Sequence, residues 1–210
     1  MTQANPPSYL SPSSARESCR TRTGRACGIG LTVALAALTP APGHANAVEA
    51  DLQAKILLRA LAYDRNLKER VGDSVTVAVV SHKGDGSAAR SDILRAFGSL
   101  AKLTFQGLPL HVVEHEFFSI DHLKEDLAAR GIDVLYLCGG LEAHLTSIVN
   151  LTHSKKVATI TAEDAYVAAG VAIGVMLRDR SPKLWVNLAS SKEEGLNLSA
   201  DLMRVAEVIR

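Results

Sequence analysis

Two stretches of this chain are apolar at every residue and not at every second one: 77–80 (Val-Ala-Val-Val) and 134–137 (Val-Leu-Tyr-Leu). A strand with one wet face alternates between apolar and polar side chains. A strand covered on both faces has no reason to, so these runs require a sheet with helices on each side. The flanking segments provide the helices. Over 48–70, Ile56, Leu57, Ala60, Leu61 and Leu67 recur at helical spacing before Gly72, and 91–103 is amphipathic through Ile93, Leu94, Phe97, Leu100 and Leu103. Strands at 110–115 and 132–138 are followed by helical patterns at 121–130 and 142–151, with a further strand at 157–161. Strands alternating with helices of about ten residues predict an α/β fold in three layers, a mostly parallel sheet with helices on both faces.

After Thr161 the rhythm changes. The strand-like runs 170–177 and 184–188 are separated by Arg-Asp-Arg-Ser-Pro-Lys, too short for a crossover helix. An antiparallel hairpin at the sheet edge near the C-terminus is therefore expected. A final helix over 200–209 would follow, with Ser199 as its N-cap.

The first 47 residues read differently. Residues 1–25 are rich in Ser, Pro, Thr and Arg, with Glu17 as their one acid. Arg16, Arg20, Arg22 and Arg25 stand before an uncharged segment, 26–42, centred on the apolar run 29–38; Pro40, Pro42 and then Ala45-Asn46-Ala47 follow. This is the order of a secretory signal peptide with a long n-region: positive, apolar, then a small-x-small cleavage site. The apolar part is shorter than the about 20 residues needed to span a bilayer. Without an Arg-Arg pair, Sec export is favoured over the twin-arginine route, and Cys27 precedes the apolar run, where lipid attachment would not occur. The long n-region suggests a start codon downstream of Met1. The expectation is a periplasmic domain over 48–210, with no membrane insertion of the mature chain.

The formal net charge of the whole chain is +1. Four arginines and one glutamate of the leader account for +3, which leaves about −2 for the remaining part, of roughly 160 residues, the size of one domain. That balance argues against nucleic acid and against attachment to anionic lipid, both of which select a basic face. Of the three cysteines, Cys19 and Cys27 belong to the leader. Cys138 remains alone, so this domain forms no internal disulfide.

The stretch Val157-Ala-Thr-Ile-Thr161, then Gly170-Val-Ala-Ile-Gly-Val175, then Leu184-Trp-Val-Asn187-Leu-Ala-Ser-Ser-Lys-Glu-Glu-Gly195-Leu196-Asn-Leu-Ser199-Ala-Asp-Leu-Met203 resembles the YfiR-like family of bacterial periplasmic proteins. That family ends in a hairpin whose second strand reads hydrophobic-Asn-Leu-Ala, then a short helix, Gly-Leu, a polar residue, hydrophobic-Ser and a last helix. The resemblance implies a non-enzymatic regulator. Founding members of the family repress an inner-membrane diguanylate cyclase by binding its periplasmic sensor domain. The implied partner is thus the periplasmic domain of a membrane signalling protein, a cyclase or kinase; self-association into a homodimer is open. Some relatives carry paired cysteines, and this chain does not.

An alternative function, from the fold alone, is small-ligand binding in the crevice at the C-terminal ends of the parallel strands. Its candidate residues are Ser81, Lys83, Gly84, Gly86 and Ser87 after the first strand, Cys138, Gly139 and Gly140 after the third, and Glu163 and Asp164 after the fourth. The glycines permit close backbone approach and a following helix N-terminus can hold an anion, although a plain surface loop is the simpler reading of 81–87. Cys138 reads as small-residue packing, since no base accompanies it. His111 and His115 sit four apart in a strand, about 13 Å from one another at 3.3 Å per residue, so they do not share a metal. No metal, no cofactor and no catalytic set is expected, which makes an exported enzyme the weakest reading. Asn187, Gly195, Leu196 and Ser199 read as keepers of the fold: Asn187 at a turn, Gly195 as a left-handed helix stop and Ser199 as an N-cap.

Overall fold

The computed structural model describes residues 48–210 except Gly86 and Leu103. The leader expected over 1–47 lies outside the described residues, as does the candidate Gly86. Inside the sheet, one strand from its edge, is β1 (Val75–His82), whose first seven residues are all buried. Four valines and Thr76 favour the extended backbone. β1 pairs in parallel with β2 (Leu110–Phe117) on one side and β3 (Val134–Leu137) on the other. Beyond β3 come β4 (Ala158–Thr161) and β5 (Ile173–Arg178), both parallel, then β6 (Ser181–Asn187), antiparallel to β5. With β7 (Glu207–Ile209) the order is β2-β1-β3-β4-β5-β6-β7.

Helices cover both faces. On one, α1 (Ala50–Leu61), α3 (Ala88–Leu100) and α8 (Ala200–Val205) pack against Val75, Val77, Val79, Val134, Tyr136 and Ile160. On the other, α4 (Ile120–Arg130), α5 (Leu145–Lys155) and α6 (Asp164–Ala168) pack against Ala78, Val80, Leu135 and Leu137. Successive residues of β1 and β3 thus feed opposite cores, the physical content of their unbroken apolar pattern. The expected class, a three-layer α/β fold with a mostly parallel sheet and an antiparallel hairpin near the C-terminus, is the one observed.

Three local expectations need correction. The helix expected over 48–70 is two helices, α1 and α2 (Leu67–Val71), broken at a turn around Asp64. The Asp64 side chain is fully buried; its Oδ1 accepts the N–H groups of Asn66 (3.0 Å) and Asn197 (2.9 Å), while Oδ2 faces Arg70 Nε at 3.3 Å. Arg65 N–H also donates to the Asn197 carbonyl, and Ser199 N–H to that of Tyr63. Capture of the distant 197–199 segment outweighs the continuation of the helix. Second, the hairpin is not at the edge, and the last helix stops at Val205. Ala206 is extended and 207–209 add a parallel strand that covers the open backbone of β6. Third, a short helix, α6, follows β4 in a stretch for which the sequence pattern gave no element. Among the described residues, no helix is long and apolar enough to cross a membrane.

Acidic side chains, one half-buried and one fully buried, also hold the amino ends of the parallel strands. Asp133 accepts the Thr76 N–H at 2.9 Å, and burial raises its pKa to about 6 against the pull of that N–H and of Arg70. Glu194, just past α7 (Leu188–Glu193), is fully buried. Its Oε2 accepts the Thr159 N–H at 2.7 Å and its Oε1 the Thr159 hydroxyl at 2.5 Å, with the Thr152 hydroxyl 3.5 Å away. Burial pushes the Glu194 carboxyl up to about 8, although the Thr159 donors, Arg70 and Thr152 oppose it.

Two predictions follow from these contacts. Asp64→Ala, which strands Arg70 and two N–H groups, should cost about 3 kcal/mol in urea unfolding, and Asp64→Asn less, because an amide oxygen still accepts. Folding raises the Glu194 pKa, so its contribution to stability is fully present below the unfolded value of about 4.3 and is lost as pH rises to about 8. The stability of wild type relative to Glu194→Gln should therefore fall between pH 5 and pH 8, by up to a few kcal/mol, when both are unfolded in urea across that range.

Candidate ligand-binding crevice

β1 leads through α3 to β2 on one side, and β2 leads through α4 to β3 on the other. The chain therefore leaves β1 toward one face and leaves β3, through α5, toward the opposite one. A crevice opens at such a switch point, outside the carboxyl ends of the two strands. Ser81 ends the buried part of β1, and Cys138 stands beside it, its N–H donating to the Val80 carbonyl at 2.9 Å. The Ser81 hydroxyl is buried and has no hydrogen-bond partner. Glu163 reaches the same place from the end of β4: a Cβ added at Gly139 would lie 3.0 Å from Glu163 Oε1. The Glu163 carboxylate thus packs closely over Gly139.

The rest of the rim is occupied by the protein's own groups. Lys83 and Gly84 form a turn, with Gly84 at φ +79° and Asp85 N–H donating to the His82 carbonyl. Asp85 Oδ1 then accepts the Ser87 N–H at 2.9 Å, its Oδ2 the Ser87 hydroxyl at 3.2 Å, and its carbonyl Arg90 Nη1 at 2.7 Å. Ser87 caps α3 by accepting the Arg90 N–H. Two of the N–H donors at this helix start, those of Ser87 and Arg90, are thus already engaged, one of them by a carboxylate of the same loop. The Arg90 guanidinium pairs with Glu114 and lies 3.7 Å from Glu116, both on β2. On the far side, Glu142 Oε1 accepts the Gly140 N–H (3.3 Å) and the Tyr166 hydroxyl (3.0 Å), and that hydroxyl accepts the Leu141 N–H at 2.8 Å.

The fold therefore brings together Ser81, Cys138, Gly139, Gly140 and Glu163, with Ser87 tied to Asp85 at the start of α3, but not every candidate. Lys83 points away, its Nζ 5.6 Å from the centre of the Phe118 ring. Asp164 faces the hairpin, 3.1 Å from Arg178, which itself stacks on Trp185. Burial, and then Asp85, push the Cys138 thiol up to about 12 while Arg90 pulls the other way, so at neutral pH it is a thiol and not a nucleophile. Sequence reasoning missed Asp85, Arg90 and Glu142. The Asp at 85, two before a Ser cap, is the one local signal that pointed to a self-occupied helix start.

Two cavities lie elsewhere. One of about 570 Å³ opens between α1, the end of α3 and β2, lined by Leu52, Ile56, Leu100 and Phe105 with Lys55 and Arg59. Another, of about 370 Å³, lies between α1, β6 and α8. Neither is lined by a crevice residue. The C-terminal motif is also remote from the crevice. Asn187 Oδ1 accepts the Ser190 N–H (3.1 Å) to cap α7, and its Nδ2 donates to the Val167 carbonyl (3.0 Å). Gly195, at φ +81°, ends that helix; Leu196 is buried; Ser199 caps α8 by accepting the Leu202 N–H.

A family model described as YfiR/HmsC-like matches residues 50–207. No curated protein sequence matches significantly. Among solved structures, a conserved domain protein from Vibrio cholerae is 15% identical with a TM-score of 0.50, over 69% of this chain and 57% of that one. The ABC domain in complex with L-Trp from Streptococcus pneumoniae is 12% identical with a TM-score of 0.52, over 77% and 60%. A ligand-free substrate binding protein with adhesive properties from Clostridium difficile is 14% identical with a TM-score of 0.50, over 69% and 57%. This chain spans about three-fifths of the length of those solved chains, and at such identities the likeness is one of fold. For the crevice itself, the protonated state of Cys138 is directly testable. With Cys19 and Cys27 changed to Ser, a disulfide reagent at pH 7.5 should modify the folded protein at least about a hundredfold more slowly than the urea-unfolded chain.

Proposed function

The chain belongs to the YfiR/HmsC-like family over residues 50–207, and on that membership we propose that it is a non-enzymatic regulator of a membrane signalling protein. The partner bound is the periplasmic sensor domain of a diguanylate cyclase or a sensor kinase, and the site of action is the periplasm. The family match carries this reading. The signal-peptide pattern of residues 1–47 supports the location, and the near-neutral charge of the rest supports a protein partner over nucleic acid or anionic lipid. The chemistry of the crevice is in line with binding and not catalysis: its thiol is protonated, and Asp85 and Glu142 are held by nearby backbone N–H groups.

Purification of the tagged protein from envelope extracts is expected to recover a membrane cyclase or kinase, and deletion of its gene to raise cyclic-di-GMP if the partner is a cyclase. Recovery of the protein alone, with unchanged cyclic-di-GMP, would sink the proposal. The second reading is small-ligand binding at the crevice, favoured by the unpartnered Ser81 hydroxyl at the end of β1. A thermal-shift screen of amino acids, sugars and anions tests it. A ligand whose stabilisation is lost in Gly139→Leu, which fills the space before Glu163, would support this reading, and a flat response would remove it.

A further inference from the structure

β2 is an edge strand, and α4 packs beside it on the outer end of the sheet. His115 lies near the end of β2; His122 and Asp126, four residues apart, share one side of α4. The fold brings the three together. One ring nitrogen of each histidine and one oxygen of Asp126 lie within 4.8 Å of one another. The imidazoles stack with centroids 5.0 Å apart, and His115 Nδ1 is 2.8 Å from Asp126 Oδ2. We propose that His115, His122 and Asp126 form a binding site for a divalent transition-metal ion of the zinc class.

Two observations besides proximity point to a ligand. His115 is only 2% exposed, yet its Nε2 has no hydrogen-bond partner, and His122 Nδ1 is likewise buried and unpartnered. A structural His–Asp pair accounts for the contact between His115 and Asp126 but leaves these two nitrogens unused. Two imidazoles and one carboxylate suit zinc, cobalt or nickel, whereas calcium and magnesium select oxygen ligands. Three protein ligands leave a fourth position for water or a partner's side chain.

Binding asks for small movements. At metal–nitrogen distances of about 2.0–2.1 Å the ligand atoms stand roughly 3.3 Å from one another, so gaps of up to 4.8 Å must close, and the 2.8 Å contact between His115 Nδ1 and Asp126 Oδ2 must open where His115 binds through that nitrogen. Asp126 must also give up its contact with Arg130, whose Nε lies 3.6 Å away. The Arg130 side chain is half exposed and also reaches the Glu114 carbonyl, so it can turn outward. His111, on the same strand, is exposed and outside the cluster. This inference is independent of the proposed regulatory role.

The test uses the full chain, stripped with a chelator and titrated with Zn²⁺ alone by calorimetry and with Co²⁺ by visible absorption. One ion per chain, a tetrahedral Co²⁺ spectrum and a melting temperature raised by Zn²⁺ are expected. His122→Ala and Asp126→Asn should each weaken binding by at least about tenfold, and His111→Ala should leave it unchanged. Where Asp126→Asn lowers the melting temperature of the metal-free chain, His122→Ala decides, because the His122 ring has no hydrogen bond from its side chain to lose. Binding by wild type no tighter than by His122→Ala, or equal loss in His111→Ala, would overturn the proposal.

Discussion

Glu194 carries no obvious load in the sequence, yet the amino-terminal end of the sheet is organised around its buried carboxylate. One oxygen takes the Thr159 N–H and the other the Thr159 hydroxyl, and that hydroxyl accepts the Ala172 N–H at 2.9 Å. A single side chain thus fixes where β4 begins, how it meets the segment before β5, and where α7 ends. Asp133 and Asp64 act in the same way at the start of β1 and at the break between α1 and α2. Backbone N–H groups at strand starts have no partner within the ladder, and inside a core each needs one. A carboxyl group supplies it with two acceptor oxygens on one short side chain, and Glu194 does so while burial favours its neutral form.

This arrangement divides the molecule into two ends. At the amino ends of the strands, polar groups are buried and tied across the chain, so that end is a clasp. At the carboxyl ends the connections are loops, and the switch between β1 and β3 opens a crevice. Even there the local residues satisfy one another: Asp85 occupies the start of α3, and Glu142 binds Gly140 and Tyr166. Among the described residues, the groups left without a partner include the Ser81 hydroxyl, at the crevice, Arg90 Nε beside it, and one ring nitrogen each of His115 and His122, near the end of the edge strand. Unused polar capacity in a well-packed region is what separates a candidate site from scaffold.

Most of the architecture was legible in the residues. The unbroken apolar runs at 77–80 and 134–137 imply a two-sided core, and the short spacer after β5 implies a hairpin. The crevice was only partly legible. The topology led to Ser81, Cys138 and Glu163, but nothing local to Lys83 or Asp164 tells that Lys83 turns to Phe118 and Asp164 to Arg178. The histidines illustrate the gap best. His111 and His115 were weighed as a pair because they are near in sequence, yet the partners of His115 are His122 and Asp126, on the next helix. The i, i+4 pattern of His122 and Asp126 was visible; that it would face β2 was not.

The amino-acid sequence by itself determined the class of the fold, the interior position of β1 and β3, and the family motif around Asn187 and Ser199. Those features follow from side-chain periodicity and capping, which act over a few residues. The tertiary structure alone decided the break at Asp64, the strand 207–209, the place of Glu194 and the His115–His122–Asp126 cluster. Each depends on a backbone or side-chain partner brought from afar, 133 residues in the case of Asp64 and Asn197. A carboxylate that is local in sequence but non-local in its hydrogen bonds leaves no periodic trace.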